Sequence, residues 1–218
     1  MKTILGPALQ LSSFTPQTAA ASPLGDIAQW ASSLGYKAVE LTSWNSSLFD
    51  LARAADSQDY CDEIAGTLKE HGLDIVAIST ETQGRLVASN PVYDRMLDSL
   101  APAELRGLPD KRQLWAVEQM ILAAKASANL GLSTHLSQAG CLAWPFINTQ
   151  APQLAGLIDT AFDELANRWR PLLNVFDDYG IDLCFELQAG GDLFDGISFD
   201  MFLKRLNNHP RCNILYNP

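Results

Sequence analysis

A parallel α/β barrel, incomplete at about six of the eight strand–helix units, is the fold this sequence predicts. Three observations predict it. One phrase recurs along the chain: a helical pattern, then Gly or another turn residue, then a short strand-like run rich in β-branched residues. No GxGxxG or Walker glycine turn follows the first strand, as an open doubly wound sheet would favour. Polar side chains, mostly acids and amides, stand where the apolar runs stop, and the C-terminal strand ends are where a parallel barrel carries its chemistry.

The phrase reads "WASSLGYKAVELT", "LKEHGLDIVAIST", "ASANLGLSTHLS" and "FDDYGIDLCFELQ", with a variant in "NNHPRCNILYN". Each is a helix end, a C-cap, a tight turn and a buried strand. With the opening strand "TILGPALQL", this makes six strands and five intervening helices, which requires parallel strands and right-handed crossovers. In "DKRQLWAVEQMILAAKASANLG", Leu114, Val117, Ile121, Leu122 and Ala126 are expected on the buried face, with Lys111, Glu118 and Lys125 opposite. The helix in "PQLAGLIDTAFDELANRWRPLLNVFDDYG" is expected to kink or divide at Pro171. Residues 82–110, with three prolines and two glycines, are expected to form a long lid or insertion.

The 218 residues are 47% hydrophobic, enough for one sizeable core and most simply one domain over residues 1–218. A formal charge of −10 repels a phosphate backbone and argues against a nucleic-acid partner. The four cysteines form no CxxC pair and are read as reduced core residues, which points to a cytoplasmic protein. The start, "MKTILGPALQLSSFTPQTAAAS", superficially suggests a secretory leader, but Gly6, Pro7 and Gln10 interrupt its apolar run. No segment is long enough to span a bilayer, so no membrane association is expected.

The strand ends read Glu40, Glu81, Gln138, Glu186 with Gln188, and Asn217. A carboxylate at a barrel mouth suits a divalent cation or a sugar hydroxyl. The competing reading is a Glu paired with a neighbouring Arg, Lys or backbone amide. His71 and His209 fall in helix-to-strand connections, on the face opposite the usual site. His135 is read either as an interior acid or base or, in preference, as a hydrogen-bonded core histidine. Trp144 in "AWPF" would pack on a sugar ring or anchor a lid. Asp192 and Asp195 would contact substrate or, more commonly for acids beside glycines, serve as turn and N-cap residues.

Several segments carry a family resemblance over the whole chain: "SLGYKAVELTSWN", "LWAVEQMILAAKASANLGL", "CLAWPF", "AFDELANRWRPLL" and "CFELQAGGDLFDGISFDMFLKRLNNHPRCNILYNP". The sequence resembles the sugar phosphate isomerase/epimerase family, with its xylose isomerase-like TIM barrel. The resemblance implies metal-assisted interconversion of a hydroxy-carbonyl sugar or polyol around a divalent metal such as Mn, Mg or Zn. Carried over by position, Glu186 is metal ligand and catalytic group, and Asn217 stands where the family has a ligating Asp. Glu40, Glu81, Trp144 and Gln188 would contact substrate. Family members commonly continue Glu-x-His-Pro-Gly after strand five, where this chain has Glu186, Leu187, Gln188, Ala189 and Gly190. Near the end of strand three, Glu81 replaces a usual His. The sequence ends at Pro218, directly after strand six, so the last two strands and their ligands are expected to be lacking. A six-stranded barrel keeps open edges, through which homo-oligomers would form.

Three functions follow as alternatives. The chain is an isomerase or epimerase by descent; or it is a degenerate barrel, weak or inactive, that binds a sugar-like ligand or is purely structural; or it is an endonuclease-like relative. The acidic balance and the scarcity of histidines at the strand ends oppose the third.

Overall fold

A computed structural model describes residues 6–11, 23–43, 47–147 and 156–217. Most of the leader-like start, Trp44 and Asn45 of the quoted "SLGYKAVELTSWN", and Pro218 lie outside the described residues. Among the described residues, six strands lie in one sheet in chain order: β1 (Ala8–Gln10), β2 (Ala38–Thr42), β3 (Asp74–Ser79), β4 (Thr134–Ser137), β5 (Asp182–Glu186) and β6 (Cys212–Leu215). This is the repeat of an α/β barrel with six of its eight units. The chain groups into two compact units, one containing residues 1–80, 122–135 and 179–181, the other residues 81–121, 136–178 and 182–218.

In the first unit, β1, β2 and β3 pair in parallel. The helices are α1 (Pro23–Ser33), α2 (Leu51–Asp56) and α3 (Gln58–Glu70). The recurring phrase has a concrete geometry at the end of α3. Gly72, at φ +71°, donates to the Lys69 carbonyl at 2.9 Å, and Leu73 donates to the Leu68 carbonyl at 3.0 Å. That pair of bonds is a Schellman cap, and its left-handed residue is cheapest as Gly. His71 is the C-cap residue of α3, in the connection leading to β3. The register slips between Val39 and Glu40, where β3 carries one extra residue, Val76, between the partners Ile75 and Ala77.

The first unit also contains the C-terminal part of α6 (Pro109–Asn129). Asn129 caps α2 by donating to the Ala54 and Ala55 carbonyls at 2.9 and 3.0 Å. His135 is fully buried, with Thr80 Oγ1 2.7 Å from Nε2 and Ser127 Oγ 3.0 Å from Nδ1. Both ring nitrogens meet hydroxyls, and burial pushes the imidazole pKa down to about 3. It is a neutral core histidine. Because its folded pKa lies below the unfolded value of about 6.5, its stabilising contribution is present above that pH and lost as pH falls toward 3. Urea unfolding of the wild type should therefore lose about tenfold in the folded-to-unfolded ratio per pH unit below about 6 through this residue. His135→Gln should lack that component, and parallel pH profiles for the two proteins would contradict it.

The second unit holds α4 (Glu81–Val87), α5 (Asp94–Leu97), α7 (Trp144–Ile147), α8 (Leu157–Asp178) and α9 (Gly196–Arg205), with β5 and β6 parallel in register Glu186↔Leu215. Its core centres on Phe185, which meets Trp169 edge-to-face at 4.9 Å and Phe202 at 5.5 Å. Trp169 donates its indole N–H to the Ala139 carbonyl at 2.7 Å.

Two expectations change. Helix α8 is not divided at Pro171. A proline inside a helix costs about 3 kcal/mol, whereas Trp169, Leu172, Leu173 and Phe176 are all buried around it, each worth about 1.5–3 kcal/mol. Packing wins. In α6, Leu114 and Ile121 are 64% and 42% exposed, while Ala116, Met120, Ala123, Ala124 and Ala126 are buried. The buried face of the helix is made mostly of alanines, with Met120 among them. Residues 82–110, expected as a lid or insertion, contain most of α4, with α5 and 3₁₀ turns at Pro91–Tyr93, Asp98–Leu100 and Ala103–Leu105.

Among the described residues, no helix is long and apolar enough to cross a membrane. The four cysteines are free, with Cys61, Cys141 and Cys212 buried and Cys184 half-buried.

Candidate functional site

The second unit gathers polar groups where its strands end. Gln138 directly follows β4, Glu186 is the last residue of β5, and Asn217 lies two residues beyond Leu215, the register partner of Glu186. Asn217 donates its Nδ2 to Glu186 Oε1 at 3.0 Å, and Gln138 donates its Nε2 to Glu186 Oε2 at 3.4 Å. The Gln138 side-chain Oε1 in turn accepts from Arg85 Nε at 3.0 Å. One carboxylate, two amides and one guanidinium form a connected row from α4 to β6.

Arg85 reaches this row because α4 lies close against the end of β4. At Gly84 an added Cβ would fall well inside the contact distance of Ser137 Oγ and the Gln138 carbonyl. Only glycine permits that approach. Beside the row is a cavity of about 170 Å³, walled by Arg85, Tyr93, Cys141, Trp144 and Gly190 among others.

The segment leading into α7, which Trp144 opens, is held by Asp192. This carboxylate is fully buried and accepts backbone N–H bonds from Leu142 at 2.7 Å and from Ala143 and Trp144 at 2.8 Å. Burial pushes its pKa up to about 6, with the three N–H donors pulling the other way. Asp192 is thus a loop brace. Asp195 caps α9 through a capping box with Ser198, the N-cap role expected of it.

The other expected site residues are distributed as follows. Glu40 lies within β2, in the first unit, and accepts from Gln10 Nε2 at 2.9 Å. Glu81 does not end a strand: β3 stops at Ser79, and Glu81 opens α4. Gln188 closes the turn after β5 through its backbone, donating N–H to the Leu193 carbonyl at 3.1 Å. His209 sits in the turn before β6, its Nε2 3.3 Å from Asn174 Oδ1. Arg85 was not singled out in the sequence, because nothing local distinguishes it within a segment of mixed polarity.

Residues 28–218 match the family described as xylose isomerase-like TIM barrel. The chain belongs to that family. No curated protein matches. Solved structures with similar folds include D-psicose 3-epimerase from Clostridium cellulolyticum H10, solved with D-tagatose, at TM-score 0.60 and 11% identity, covering 96% of this chain and 62% of that one. Another is 3-keto-D-glucoside 4-epimerase from E. coli, at TM-score 0.60 and 14% identity over 95% of this chain and 66% of that one. A probable 3-DHS dehydratase from Bacillus anthracis matches at TM-score 0.60 and 16% identity, covering 96% and 62%. At these identities the likeness is one of fold alone, and it joins epimerases to a dehydratase. The chain spans about 62% of the length of the first solved structures it resembles.

The divalent cation expected of a xylose isomerase-like barrel does not fit Glu186 and Asn217 as they stand. Both Glu186 oxygens accept amide N–H bonds, and Asn217 presents its NH₂ group rather than its carbonyl. Among the described residues, no group of three or more His, Cys, Asp or Glu side chains could hold a metal ion.

Proposed function

We propose that this chain is a sugar isomerase/epimerase-like barrel that binds a sugar-like or polyol ligand and turns it over weakly or not at all. The observation that carries this reading is the amide pairing of Glu186. A carboxylate flanked by Gln and Asn offers acceptors and donors to hydroxyl groups, which need both. Metal-assisted interconversion of a hydroxy-carbonyl sugar, the activity the resemblance implies, requires at least three fixed ligands around the ion. Glu186 and Asn217 provide one charged and one neutral group. Glu81 and Gln188 are proposed as weaker substrate contacts.

The test is calorimetric titration of the purified chain with D-tagatose and D-fructose, then with Mn²⁺. Sugar binding should weaken by about tenfold in Glu186→Gln, which removes a charged hydrogen-bond acceptor. Mn²⁺ should bind weakly, and Asn217→Asp should strengthen it by adding a second anionic ligand. A stoichiometric Mn²⁺ site abolished by Glu186→Gln, together with sugar turnover, would overturn the reading.

A further inference from the structure

We infer that the cavity beside α4 is a binding site for a small hydroxy- or keto-monocarboxylate, held by the Arg85 guanidinium against the Trp144 and Tyr93 walls. The inference goes beyond a sugar-like ligand at Glu186, because it concerns a different group and a charged ligand.

Among the described residues that wall the cavity, Arg85 is the only ionic side chain. The Tyr93 hydroxyl and the Cys141 thiol are both pushed up by burial and stay neutral. The bond to Gln138 engages Nε alone, and among the described residues the two Nη groups meet no acceptor. A guanidinium anchored at Nε keeps a planar pair of N–H donors, the fork that a carboxylate matches with two parallel bonds.

A monoanion suits the surroundings better than a phosphate dianion. One cation neutralises one charge, and the buried Asp192 and the Glu186 carboxylate in the same unit oppose a second negative charge. The aromatic walls are held in place. Trp144 is fixed by its backbone bond to Asp192 and by edge-to-face contact with Phe194 at 5.6 Å. The volume of about 170 Å³ is close to the ~150 Å³ that admits a benzene-sized body. A carboxylate on a body of a few carbons is therefore the ligand that fits.

Calorimetric titration of the full chain with D-glycerate, glycerol and inorganic phosphate tests this. D-glycerate should bind at one site, and glycerol, which lacks the charge, should bind at least about tenfold more weakly. Arg85→Gln should weaken D-glycerate by about tenfold or more with an unchanged circular dichroism spectrum. Arg85→Lys, which keeps the charge and loses the fork, should fall between; it also carries the test if the Gln variant does not fold. Glu186→Gln removes a negative charge from the same unit, so it should weaken sugar binding while leaving D-glycerate binding undiminished or tighter, which separates failure here from failure at Glu186. Equal binding of glycerol and D-glycerate, tighter binding of phosphate, undiminished binding in Arg85→Gln, or no D-glycerate binding would each overturn the inference.

Discussion

Asp192→Ala should cost about 4 kcal/mol of stability near neutral pH, among the largest single-residue effects expected in this chain. The carboxylate accepts three backbone N–H bonds in a site with no exposure. Removing it orphans three donors, each worth about 1–3 kcal/mol when left buried without a partner, less whatever water recovers by entering. Asp192→Asn should cost roughly half as much, because its carbonyl still accepts while its NH₂ group opposes a backbone N–H. The consequence reaches the cavity, since the freed segment carries Cys141 and Trp144. Chemical denaturation measures the stability order, wild type above Asn above Ala. A loss below about 1 kcal/mol for the Ala variant would show that Asp192 does not hold this loop.

How much of this was legible depended on whether a residue's role was local. The turns after α3 and α9 were readable because their chemistry lies within a few residues: Gly72 takes the left-handed position in one, and Asn207, at φ 56°, takes it in the other. Strands β2 and β5 were readable as apolar runs ending near Glu40 and Glu186, and the pairing of Glu186 with Asn217 joins two residues that were both placed at strand ends. Helix α4 was not readable. Gly84 is a poor helix former, and only the closeness of Ser137 and Gln138 explains it. The residue that argued against a helix is the one that lets it pack, and Arg85 was lost with it. The burial of α6 failed for a related reason. Periodicity gives weight to large side chains, but close packing against a neighbour selects alanines, so Leu114 and Ile121 face outward despite their apolar spacing.

Arg112→Ala should destabilise the second unit by about 3–4 kcal/mol and release residues 91–108. Arg112 stands near the start of α6 and is 1% exposed. Its Nη2 meets Asp94 Oδ1 at 2.7 Å, its Nη1 meets Asp98, and the Asp94 carbonyl accepts a further bond at 3.3 Å. Asp98 also accepts the Gly107 N–H at 3.0 Å, so the ion pairs close the inserted segment on itself. Taking away the guanidinium leaves a cavity and two uncompensated carboxylates. Breaking a buried charge cluster from one side costs about 3–5 kcal/mol, reduced here because both aspartates are partly exposed. Arg112→Lys should recover less than half, since one ammonium cannot serve two carboxylates with a planar fork. Limited trypsin digestion should then cut after Arg95 and Arg106 faster in Arg112→Ala than in wild type. Tyr93, Met96 and Leu97 belong to this segment and wall the cavity, so D-glycerate binding should weaken in Arg112→Ala although Arg85 is intact. Unchanged cleavage and unchanged binding in a folded Arg112→Ala protein would mean that the segment is held by its apolar contacts and that the buried arginine is dispensable.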